Sequence, residues 1–123
     1  MAREASRLIA WDVLIANWDR WSGGNTFRVG QREVWLDNAA GFGRYAKEMQ
    51  RKNEKPLVGV ERFSRSLIGA LSGVSEEQLR LALAPARLSR VQEQELMARR
   101  RDLLRYVDEL VAKYGIAEVL CFD

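Results

Sequence analysis

Between Ala5 and Trp18 the apolar residues Leu8, Ile9, Trp11, Val13, Leu14, Ile15 and Trp18 occupy nearly the whole circumference of a helix, broken mainly by Asp12 and Asn17. A helix apolar all round is a buried one, so residues 1–18 are expected to form a core helix. Ser22, Gly23 and Gly24 stop the pattern, because paired glycines end a helix and open backbone conformations closed to other residues. Two short β-prone runs with alternating character follow, Thr26 to Val29 and Glu33 to Leu36, and Gly30-Gln31 between them predicts a hairpin. A glycine-rich loop from Asp37 to Gly43 closes this part.

Residues 44–59 have few apolar anchors before Leu57, carry Pro56 and Gly59, and predict a loop. Residues 60–115 have helical periodicity. Phe63, Leu67, Ile68 and Leu71 share one face, with Gly73 as terminator. Ser75 with Gln78, and Ser89 with Gln92, each have the spacing of a capping box, in which hydroxyl and carboxamide satisfy each other's backbone donors. The first box opens a short helix before Pro85. The second opens a long one, lined by Leu96, Leu103, Leu104, Val107, Leu110, Val111 and Tyr114 and stopping at Gly115. The tail, residues 116–123, is expected as a last strand or an extended segment on the core. The fold class is thus mainly α with one small β-hairpin, in a single domain of 123 residues.

Composition narrows the chemistry more than the fold. The chain has no His, which excludes imidazole bases, Ser-His-Asp triads and ordinary zinc sites. Carboxylates are left as bases and metal ligands. Cys121 is the single cysteine, so no internal disulfide forms, and a buried, inert thiol is expected. The N-terminal run contains Asp12 and lacks a small-residue cleavage site, and no apolar stretch nears the roughly 20 residues of a membrane span. A cytoplasmic setting without a membrane span is the expectation. Net charge is +3, and no base-reading motif accompanies it, which ranks nucleic acid last among partners. Between Arg44 and Arg65 seven basic residues face three acidic ones, so that segment is the better candidate for an acidic substrate. The run Arg99-Arg100-Arg101 reads as a solvated helix face. The tryptophans Trp11, Trp18, Trp21 and Trp35 read as core, and buried Asp12 must be paired, with loop backbone or an Arg.

One constellation carries chemistry. Asp19 precedes the hairpin and Asp37 follows it, so an antiparallel pair of strands returns both carboxylates to one place at the end of a buried helix. Phosphoryl transfer uses such a pair. One carboxylate accepts the proton of the attacking hydroxyl, while the second, with an Asn oxygen such as that of Asn25, holds Mg²⁺ against the phosphate oxygens.

The runs Asp12-Val13-Leu14-Ile15-Ala16-Asn17-Trp18-Asp19-Arg20 and Leu36-Asp37-Asn38-Ala39-Ala40-Gly41-Phe42-Gly43-Arg44 resemble the catalytic and metal-binding loops of the Golgi casein kinase and four-jointed family of atypical kinases. More distantly they resemble the actin-fragmin kinase and the lipid kinases. The resemblance covers residues 12–44 and implies a protein-kinase-like C-terminal lobe without an N-lobe. It further implies Asp19 as catalytic residue, Asp37 and Asn25 as ligands of Mg²⁺ or Mn²⁺ and of ATP, and Arg20 and Arg44 beside the substrate. The acceptor would be a protein or sugar hydroxyl. The sequence departs from the family's pattern at three points: Trp21 stands where many of these kinases carry His, Asn25 falls six residues after Asp19, and no glycine-rich loop or nucleotide-contacting Lys precedes Leu8. The departures imply a lobe inactive by itself, completed by an N-lobe, a partner chain or a second copy. The alternative is a non-catalytic, kinase-derived interaction module.

Overall fold

The computed structural model describes residues 2–20, 24–43, 51–52 and 55–123, and these form two compact units, residues 1–60 and 61–123. Among the described residues the chain is mainly helical with one two-stranded antiparallel sheet, and no helix is long and apolar enough to cross a membrane.

In the first unit α1 spans Ala2–Ile15 and buries Leu8, Ala10, Asp12, Val13, Leu14 and Ile15. Its apolar girdle is incomplete, because Trp11 is 44% exposed. The helix stops three residues short of Trp18. Ala16 takes φ 55°, and the Asn17 N–H donates to the Asp12 carbonyl at 2.8 Å, which closes the last turn wide. The hairpin follows, β1 Thr26–Val29 and β2 Arg32–Trp35, with Phe27 opposite Val34 and Val29 opposite Arg32. The second strand begins one residue earlier than the alternation indicated. Gly30 opens the two-residue turn at φ 61°, the position where a type II′ turn needs positive φ. The predicted loop over residues 44–59 is helical at 51–52 and 55–58, and its residues 44–50 and 53–54 lie outside the described residues.

The second unit contains α2 (Arg65–Gly73), α3 (Glu76–Leu83), a 3₁₀ turn (Ala84–Ala86), α4 (Arg90–Tyr114) and α5 (Ile116–Val119). Both predicted capping boxes form. Ser75 Oγ accepts from the Gln78 N–H at 3.1 Å and Ser89 Oγ from the Gln92 N–H at 3.3 Å, and each Gln oxygen accepts in return from the Ser N–H. Helix α4 packs against α2 and α5, and it contributes Leu96, Met97, Leu103, Val107 and Leu110 to the buried set. Gly115, at φ 89°, ends it where expected.

The tail is not a full strand. Ile116–Val119 turns once as helix, which buries Val119, and only Phe122 then pairs with Ser64 in a single parallel bridge. Cys121 is exposed rather than buried. The extended backbone alternates sides, so with Phe122 half-buried beside Ser64 its neighbour faces outward.

The Arg99–Arg101 run also departs from its expected solvated face, since Arg99 and Arg100 are buried. Arg100 Nε donates to the Leu71 carbonyl at 2.7 Å and Nη2 to the Val74 carbonyl at 2.5 Å, satisfying acceptors that the end of α2 leaves over. Burial lowers the Arg99 pKa, and Glu95, 3.9 Å from its Nη1, acts in the opposite direction. Arg100→Met should destabilise the protein by about 1–3 kcal/mol, because part-buried carbonyls lose a charged donor. Chemical denaturation followed by far-ultraviolet circular dichroism measures it. An unchanged midpoint would show that water replaces the guanidinium there without cost.

Candidate functional site

The base of the hairpin is organised by a buried ion pair. Asp12 is 1% exposed and Arg20 2%. Arg20 Nε donates to Asp12 Oδ2 at 2.9 Å and its Nη2 to Asp12 Oδ1 at 2.9 Å, a bidentate fork that only a guanidinium makes. Asn17 Nδ2 adds a third donor to Asp12 Oδ1 at 3.2 Å. The partner expected for Asp12 is therefore Arg20.

The remaining donors of Arg20 reach further along the chain. Nη1 donates to the Asn25 carbonyl at 3.2 Å and, by a short contact, to the Leu36 carbonyl; Nη2 also donates to Asn38 Oδ1 at 2.6 Å. One side chain thus joins the C-terminal half of α1, the residue before β1, the residue after β2 and the loop beyond. This corrects the expectation that Arg20 lies at the substrate. Its side chain is 0% exposed and its donors are committed within the protein.

The expected catalytic and metal-binding residues are held at this base. Asp19 precedes Arg20, and the Asp19 carbonyl accepts from Asn25 Nδ2 at 3.2 Å. That bond turns the carboxamide oxygen of Asn25 the other way. The Asn25 carbonyl accepts from the Leu36 N–H at 2.9 Å, which brings Asn25 beside Leu36 and so next to Asp37 in sequence. Asp37 is exposed at φ 52°, and its Oδ1 accepts from the Ala39 N–H at 3.1 Å, fixing one carboxylate oxygen. Arg44, like Trp21, lies outside the described residues.

The loop after Asp37 folds back onto α1. The Phe42 N–H donates to the Ile15 carbonyl at 2.7 Å, and a Cβ placed on Gly41 would meet Ile15 Cδ1 and the Asn38 carbonyl oxygen at 3.0 Å each, so a larger residue there would have to displace its neighbours. Ala16, Asp37 and Phe42 all carry positive φ, which concentrates backbone strain around this base.

Two contributors escaped the sequence. Asn38 closes the network on Arg20, and Lys52 Nζ lies 4.4 Å from the ring centroid of Trp18, the neighbour of Asp19. A cation–π contact of that kind holds an ammonium beside the site. The only sequence signal was the basic composition of residues 44–65.

The oxygen-bearing side chains that stand at this base along the chain are those of Asp19, Asn25 and Asp37. This all-oxygen set suits a hard ion such as Mg²⁺, which keeps water and substrate phosphate among its ligands. Among the described residues no group of three or more Cys, Asp or Glu side chains could hold a metal, so a closed all-protein cage is not formed. No protein-family model, curated protein or solved structure matches the chain.

Proposed function

We propose that the first unit carries the phosphoryl-transfer half of an atypical, ATP- and Mg²⁺-dependent kinase, similar to the Golgi casein kinase and four-jointed family. The observation that carries this is the buried guanidinium of Arg20, which ties the Asp19 loop to the Asp37 loop. Two carboxylates on separate loops need such a tie to keep a fixed separation. Asp19 accepts the proton of an acceptor hydroxyl, and Asp37 with the Asn25 carboxamide oxygen holds the cation. Mg²⁺, when bound, neutralises charge on the phosphate oxygens. The proposal includes a second lobe, on this or another chain, that covers the nucleotide.

Water-proton relaxation with Mn²⁺-ATP tests it. Added protein should enhance the relaxation rate as Mn²⁺-ATP joins a slowly tumbling complex, and Asp37→Ala should weaken that binding at least about tenfold. Absence of enhancement in the wild type at millimolar Mn²⁺-ATP, or full enhancement in Asp37→Ala, would remove the proposal.

A second function, that of a kinase-derived interaction module, has one observation of its own. Phe27, Val29, Val34 and Leu36 fall on one face of the hairpin by register, and all four are exposed. Such a stripe is what an interface uses. Sedimentation equilibrium separates the two: a monomer at all concentrations that binds Mn²⁺-ATP favours the enzyme, whereas self-association abolished by Phe27→Ser without nucleotide binding favours the module.

A further inference from the structure

A cleft in the second unit, remote in sequence from the hairpin, has a volume of about 320 Å³ and is lined by Arg80, Arg90, Glu93 and Gln94. Arg80 comes from α3 and the other three from the first turns of α4, and the capping boxes at Ser75 and Ser89 fix where each helix starts. The volume falls at the small end of ordinary ligand sites.

The two guanidiniums of this cleft are poorly matched. Arg80 has two loose ion pairs, Nη2 with Glu76 Oε2 at 3.6 Å and Nε with Glu93 Oε2 at 3.9 Å, both beyond hydrogen-bond length. Glu76 is better served elsewhere, since its Oε1 accepts from Arg101 Nη1 at 2.7 Å. Arg90 has no ion pair or side-chain hydrogen bond among the described residues, and it occupies the first position of a 25-residue helix, where the backbone dipole disfavours a cation. An oxyanion in the cleft would meet both forks and remove that conflict.

We propose that this cleft binds a small phosphate monoester whose other end carries a hydrogen-bond donor. Arg80 and Arg90 engage the phosphate oxygens as bidentate forks, and Gln94 adds a neutral amide donor. Glu93 accepts from the hydroxyl or ammonium of the same ligand, which gives the cleft's one acidic lining residue a role. A carboxylate offers fewer oxygens to two forks and should bind more weakly.

Titrations followed by the Arg Nε–H resonances of the full chain test this, with inorganic phosphate, O-phosphoethanolamine and acetate at constant ionic strength set with chloride. Phosphate should shift Arg80 and Arg90 and saturate, O-phosphoethanolamine should bind at least about threefold more tightly, and acetate should bind less tightly than either. Arg90→Gln should weaken phosphate at least about tenfold, while Glu93→Gln should erase the advantage of O-phosphoethanolamine over phosphate. Arg105→Gln, whose guanidinium pairs with Asp102 and lies outside the cleft lining, should leave both affinities unchanged. Equal shifts from acetate and phosphate, or an Arg90→Gln variant that binds phosphate as the wild type does, would overturn the proposal.

Discussion

Replacing Arg20 with Met should destabilise the first unit by about 3–5 kcal/mol, because Asp12 is left as a buried charge without its counterion. The side chains are similar in volume, so the cavity left behind is a minor part of the effect. The carbonyls of Asn25 and Leu36 and the oxygen of Asn38 lose their donor in the same step. All four tryptophans lie between Trp11 and Trp35, so their fluorescence during urea denaturation reports on this unit alone. Arg20→Lys keeps the charge but cannot make the fork and should lose part of the same stability. The double variant Asp12→Leu with Arg20→Met should cost less than Arg20→Met alone, since no charge then remains buried. It should still be less stable than the wild type, because the hairpin carbonyls remain unserved. A wild-type midpoint for Arg20→Met would mean that the ion pair organises nothing.

Phe63→Ala should cost about 3–5 kcal/mol in the second unit, the range for emptying a fully buried aromatic site. The Phe63 ring stands edge-on to Tyr106, with centroids 6.3 Å apart and planes at 82°. Its backbone joins both sides of the tail: the Phe63 N–H donates to the Val119 carbonyl at 2.7 Å, and its carbonyl accepts from the Phe122 N–H at 3.2 Å. Loss of the ring should therefore loosen α5 and the Ser64–Phe122 bridge together. Thermal unfolding followed at 222 nm, a signal rich in α4, measures the loss. Phe63→Leu, which keeps most of the volume, should recover more than half of it. Equal stability of Phe63→Ala and wild type would place the core elsewhere.

Where local chemistry decided the fold, the sequence sufficed. Ser75 with Gln78, Ser89 with Gln92, Gly115 and Gly30 each act on their own neighbours, and each was legible. Where a partner lay far along the chain, it was not. Arg99-Arg100-Arg101 reads as a solvated face until the carbonyls of Leu71 and Val74, up to 29 residues away, are seen to accept from Arg100. Nothing local marks Ala16 for positive φ, a conformation that glycine usually takes. The helix ends there because the Phe42 N–H reaches the Ile15 carbonyl from a loop closed by the hairpin. A short apolar run such as Ile116 to Leu120 fits helix and strand equally, and packing of Val119 decided it.

The candidate site divides in the same way. That Asp12 needed a partner was legible from its place in an apolar helix, and an Arg was among the partners expected. That the partner is Arg20, and that the same guanidinium spans the hairpin base, depends on which donors converge in space. The hairpin explains why Asp19, Asn25 and Asp37 share a base, and sequence alternation was enough to find it.

The most direct measurement of the central claim is site-resolved broadening of amide resonances by Mn²⁺-ATP at substoichiometric metal. If the hairpin base holds the metal and its nucleotide, the amides of Asp19, Asn25, Leu36 and Asp37 should broaden first, and Asp37→Ala should abolish the effect while leaving the fold intact. Broadening centred on the cleft of Arg80 and Arg90, or uniform broadening without a centre, would contradict it.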